Sequence, residues 1–125
     1  MFDHLSVGVR DLVAARAFYD AFLAPLGHAT THANERELGY GPKGDGARFY
    51  LYPVDGEQVA GLGTHIAFAA EGRAEVDAAY AAALAAGASR IRPAGLHPDI
   101  APGYYGAILL DPDGNRLEIV AGTMH

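Results

Sequence analysis

The feature that most limits what this chain can fold into is that it repeats itself. His4 and His65, Tyr19 and Tyr80, and Leu23 and Leu84 are each 61 residues apart. The first pair lies in strand-like alternation and the other two at helical spacing. An offset held across two kinds of element makes an internal duplication. In residues 3–9, Leu5, Val7 and Val9 alternate with His4, Ser6 and Gly8, the period of a half-buried strand. Leu12, Ala15, Tyr19, Phe22, Leu23 and Leu26 then recur at helical spacing behind Asp11, a good N-cap, and Pro25 and Gly27 mark the end. Residues 64–70 alternate again, with Ile66 and Phe68 opposed to His65, Ala67 and Ala69. A second helical stripe of Val76, Tyr80, Ala83 and Leu84 stops at Gly87.

Strand candidates follow each helix, near residues 29–32, 35–40 and 47–52 in the first half and near 89–92, 104–110 and 116–121 in the second. The last two are joined by Asp111-Pro112-Asp113-Gly114-Asn115, where Pro suits the second turn position and Gly or Asn tolerates positive φ. Residues 97–103 hold two prolines and a glycine and read as a loop. Each half is therefore β-α-β-β-β. With no low-complexity linker between them, the two modules, about 1–60 and about 61–125, are expected to share one α+β domain spanning 1–125.

Composition removes several classes of function. There is no cysteine, so disulfides, thiol nucleophiles and thiolate metal sites are excluded. Ser6 and Ser89 are the only serines and neither stands in a nucleophile elbow. Residues 41–46, Gly-Pro-Lys-Gly-Asp-Gly, lack the spacing of a phosphate-binding loop and read as a hairpin turn. A net charge of −6 with one lysine, Lys43, argues against nucleic acid. No apolar run reaches the roughly 20 residues of a membrane span. With no signal peptide in view, a cytoplasmic location is expected.

Strand parity tells which polar residues converge. If Leu5, Val7 and Val9 pack on the helix, His4 points to the opposite, concave face, and His65 does the same against Ile66 and Phe68. Leu117 and Ile119 leave Glu118 on that face, and Phe49 and Leu51 leave Tyr50 there. Aligning Gly46-Ala47-Arg48-Phe49-Tyr50 with Gly114-Asn115-Arg116-Leu117-Glu118 makes Tyr50 the repeat partner of Glu118. His4, Tyr50, His65 and Glu118 are therefore expected to line one cavity. Two imidazoles and a carboxylate suit Zn²⁺, Fe²⁺, Mn²⁺ or Ni²⁺ and leave positions open for substrate.

The Asp3-His4 start, the helical Ala17-Phe18-Tyr19, the strand Thr64-His65-Ile66-Ala67-Phe68 and the stretch from Asp111 to Glu118 together resemble the vicinal oxygen chelate superfamily of glyoxalases, extradiol dioxygenases and antibiotic-resistance proteins. The resemblance runs from Phe2 to Gly122. It implies a curved, incompletely closed mixed sheet around a cavity with the helices outside, and His4, His65 and Glu118 as ligands of one divalent ion. It also implies a metalloenzyme that chelates two neighbouring oxygens of a small-molecule substrate, and a homodimer.

Tyr50, His97 and Tyr105 are expected to shape the pocket or supply acid–base groups, with Tyr104 nearby. Glyoxalase I enzymes carry a carboxylate-type ligand where this chain has Tyr50, which argues against lactoylglutathione lyase activity. The extradiol signature places a tyrosine where Ile108 stands. The rival reading is a metal-free protein that binds an antibiotic or metabolite, and a third is a degenerate interaction module. His28, His32 and His125 are read as solvated.

Overall fold

The computed structural model describes residues 1–122; His125 lies outside them. Both halves run β-α-β-β-β. The first contains β1 (Leu5–Val9), α1 (Leu12–Leu23), β2 (His28–Ala33), β3 (Leu38–Pro42) and β4 (Phe49–Pro53). The second contains β5 (His65–Ala70), α2 (Arg73–Ala85), β6 (Ser89–Leu96), β7 (Tyr105–Leu110) and β8 (Arg116–Ala121). The strands form two open four-stranded mixed sheets of matching order, β1-β4-β3-β2 and β5-β8-β7-β6. In each, the first strand runs parallel to the last and the remaining pairs are antiparallel. Among the described residues no ladder joins the two sheets, so there is no closed barrel.

Local chemistry accounts for the element ends. The Asp11 carboxylate accepts the N–H groups of Val13 (2.8 Å) and Ala14 (3.3 Å), which have no partner within α1. The chain leaves α1 through a 3-10 turn over Ala24–Leu26, and Gly27 closes it at φ 83°, a conformation only glycine adopts without strain. At α2 the N-cap is Gly72, and Glu75 instead reaches back to the Glu71 N–H (2.8 Å). Two boundaries differ from expectation. Residues 35–37 belong to a turn held by Asn34, whose side-chain oxygen accepts from Arg36 and Glu37 N–H (2.8 and 3.0 Å). β6 runs on to Leu96 through Pro93, with register shifts that accommodate a residue unable to donate to the ladder.

One core serves both modules. Phe68 of the second half packs edge-on against Phe22 and Phe49 of the first, with centroids 5.4 and 5.2 Å apart. Tyr19, Phe18, Phe22, Leu51, Leu117 and Ile119 are among the fully buried side chains, each stabilising by about 1.5–3 kcal/mol. The turn after β7 is a second tie. Asp111 accepts the Tyr19 hydroxyl (2.6 Å), the N–H groups of Asp113 and Asn115 (2.9 and 2.8 Å) and the Asn115 amide (2.9 Å). The Asn115 amide also donates to the Gly8 carbonyl in β1 (2.9 Å). A motif legible only as a turn therefore bonds the second module to the first.

Candidate functional site

Tyr50, His65 and Glu118 stand on β4, β5 and β8, and His4 one residue before β1. In the second module, His65 lies opposite Arg116 and Ala67 opposite Glu118 in the parallel β5–β8 pair. Glu118 is thus the diagonal neighbour of His65. In the first module Ser6 lies opposite Tyr50, and continuing that register one residue puts His4 diagonal to Tyr50. The duplication is reproduced at the level of single side chains.

Within one chain the four divide into two pairs. His65 Nε2 stands 3.5 Å from Glu118 Oε2. His4 lies against Tyr50, edge to face at 5.7 Å. Among the described residues no group of three or more His, Asp or Glu side chains is arranged to hold a metal ion. Among the described residues β1 pairs only with β4 and β5 only with β8, so no ladder sets His4 beside the His65–Glu118 pair.

The two imidazoles differ in setting. His4 is exposed and its Nδ1 donates to Asp3 (2.7 Å). That bond is the main cause holding the Asp3 carboxyl below its usual range. A carboxylate on Nδ1 leaves Nε2 as the free donor atom, as second-sphere carboxylates do for metal-ligating histidines. Glu118 is buried, which an ionisable side chain tolerates only with partners. Its Oε1 accepts the hydroxyl of buried Tyr104 at 2.8 Å. Burial first, then the Glu118 bond and charge, push the Tyr104 pKa well above its usual value, so this hydroxyl keeps its proton at neutral pH. A cavity of about 450 Å³ opens in front of the pair, lined among others by His65, Ile100, Ile108, Arg116 and Glu118. Ile108 faces Glu118 across the β7–β8 ladder, so the wall there is apolar.

The remaining candidates separate. His97 Nε2 donates to the Pro93 carbonyl (2.7 Å), and its ring lies 6.0 Å from that of Tyr104, beside the site. Tyr105 is turned the other way: its hydroxyl donates to Asp77 on α2 (2.7 Å) and the Arg73 guanidinium lies 4.9 Å over its ring. The tyrosine that meets Glu118 is instead Tyr104, one residue before β7. The signal was present in the alternation, since Tyr105 shares parity with buried Ala107 and Leu109 on the helix side, and Tyr104 shares parity with Ile108. His32 is exposed and bonded to Glu37 (2.8 Å). His28 corrects the expectation of a solvated residue, because its Nδ1 is buried and has no hydrogen-bond partner among the described residues.

The family model described as the Glyoxalase/Bleomycin resistance protein/Dioxygenase superfamily matches residues 1–119. The chain belongs to this superfamily. A glyoxalase/bleomycin resistance protein from Albidiferax ferrireducens is 32% identical, covers 98% of this chain and 99% of its own, and superposes with a TM-score of 0.83. Two further structures share the fold at lower identity. A glyoxalase-related enzyme from Fulvimarina pelagi is 22% identical, with 98% and 88% of the two chains covered and a TM-score of 0.75. A genomically encoded fosfomycin resistance protein from Listeria monocytogenes is 22% identical, with 98% and 93% covered and a TM-score of 0.72. No curated protein matches the chain.

Proposed function

We propose that this protein is a small-molecule metalloenzyme of the glyoxalase/dioxygenase type, acting as a homodimer in which His4 of one copy completes the His65–Glu118 pair of the other. The observation that carries the reading is the 3.5 Å separation of His65 Nε2 and Glu118 Oε2. A tetrahedral ion with bonds of about 2.0–2.1 Å holds neighbouring donors about 3.3–3.4 Å apart. The donor chemistry fits as well: neutral imidazole and carboxylate suit Zn²⁺, Fe²⁺, Mn²⁺ or Ni²⁺. When bound, the ion would supply Lewis-acid polarisation of two neighbouring substrate oxygens.

The chain's own residues do the rest. The Asp3 carboxylate aims His4, Ile108 keeps one cavity wall dry, and His97 and Tyr50 border the substrate. The homodimer draws support from the open edges of β1 and β5 and from exposed Phe2, Leu5 and Leu62 nearby in sequence. With Tyr50 in place of a carboxylate, methylglyoxal–glutathione hemithioacetal is not the substrate. A phenol is a poorer divalent-metal ligand than a carboxylate.

The metal-free binding protein is the second reading, favoured by the fact that, among the described residues, one chain groups two of the three donors. Titration of the purified protein with divalent ions separates the two, since the enzyme reading requires binding that His65→Ala and Glu118→Gln each abolish. Mixing His4→Ala with His65→Ala protein then tests the shared site, because a heterodimer regains one intact ligand set. Wild-type protein without ion affinity leaves the binding-protein reading standing. Metal binding in the wild type with no recovery on mixing places all ligands in one chain.

A further inference from the structure

We infer that Tyr104, seated over Gly106, is a positioning residue that holds the Glu118 carboxylate in a single orientation with Oε2 directed at His65. The inference deepens the metal reading above and rests on it for its functional meaning. The Tyr104 hydroxyl takes up Oε1 at 2.8 Å, and Oε2 is the atom 3.5 Å from His65 Nε2. With one oxygen engaged, Glu118 presents only the other, so it would ligate through a single atom and leave more of the coordination sphere for substrate.

Two independent features fix Tyr104. Its backbone is pinned on both sides, by its own N–H to the Ala101 carbonyl (3.1 Å) and by the His97 N–H to its carbonyl (3.1 Å). Its ring fills a notch that only glycine leaves. A Cβ on Gly106 would lie 2.6 Å from the Tyr104 hydroxyl oxygen, 2.7 Å from Cζ and 2.5 Å from the Ile119 carbonyl oxygen. The Ile119 backbone belongs to a central strand and cannot move aside, so a methyl at 106 pushes against the tyrosine. Gly106 needs no unusual backbone angle; its role is steric.

The test compares Tyr104→Phe, Gly106→Ala and the control Tyr105→Phe, whose hydroxyl is bonded to Asp77 on α2. Cobalt(II) titration should show about 10–100-fold weaker binding and an altered visible spectrum for the first two, with the control matching wild type. Crystal structures of the metal-free proteins provide a reading that needs no ion. Glu118 should occupy one rotamer in the wild type and shift or spread in Tyr104→Phe. An unchanged Glu118 rotamer in Tyr104→Phe, or unchanged cobalt affinity and spectrum, overturns the inference. Failure of the wild type to bind cobalt would instead sink the metal reading, and the rotamer comparison would still decide the role of Tyr104.

Discussion

The two modules share a ladder plan and differ in what stands on it. Where the last strand of each module faces the cavity side, the first has Tyr50 and the second Glu118. Tyr50 is half-buried among rings, with His4, Tyr52 and His32 at 5.7, 6.3 and 6.4 Å. Glu118 is buried against Tyr104 and directed at His65. The Tyr50 hydroxyl needs no buried partner and reaches only the Ala47 carbonyl, at 3.5 Å. A carboxylate at low exposure needs a donor beside it, and the second module supplies one from Tyr104, just before β7. The helices diverge in the same way. α1 buries Phe18, Tyr19 and Phe22, whereas the residues α2 buries are Val76, Ala79 and Ala83. The first module provides the bulk of the shared core and the second the polar chemistry. Duplication places side chains; divergence of their neighbours decides what each position can do.

That contrast can be broken most severely at the tie between the halves. Asp111→Ala removes four acceptor contacts and strands the Tyr19 hydroxyl in the core. A loss of about 3–4 kcal/mol is expected in urea unfolding, and a change under 1 kcal/mol would show that the modules are not joined there. Phe68→Ala should cost about 3 kcal/mol. A double-mutant cycle with Phe49→Ala should return a coupling of about 0.5–1.5 kcal/mol if the aromatic contact spans the modules as described.

Alkaline pH probes the same tie. The Tyr19 pKa is raised well above its usual value, by burial first and then by Asp111. Above about pH 10 the unfolded chain loses this proton while the folded chain keeps it. The folded state then binds more protons, and stability falls as pH rises, by about 1.4 kcal/mol per pH unit for one such group. Below pH 10 the contribution is fully present. Unfolding midpoints measured from pH 8 to 11 should drop, and Tyr19→Phe should flatten the drop; equal slopes would remove Tyr19 as its source.

The smallest expected effect makes the halves more alike. Tyr50→Glu gives the first module the carboxylate of the second. It should tighten divalent-ion binding about tenfold, or about 1.4 kcal/mol, as followed by calorimetric titration. Weaker binding than wild type would mean that Tyr50 does not border the metal.

The duplicated βαβββ order, the helix stripes and the facing of His4, Tyr50, His65 and Glu118 were legible in the residues, because hydrophobic period and strand parity are local properties of a chain. So was the turn at Asp111, and its proline and glycine advertise it. Three things depended on the tertiary structure. The Asp111 carboxylate meets Tyr19, 92 residues away, and no local pattern encodes that contact. The Tyr104 hydroxyl meets Glu118, 14 residues away, over the notch that Gly106 leaves for its ring. His4 stands apart from the His65–Glu118 pair within one chain, since parity fixes the face a side chain takes within its own sheet but says nothing of how two unladdered sheets are set against each other. Packing of Phe22, Phe49 and Phe68 between the halves decides that, through contacts summed over the whole core.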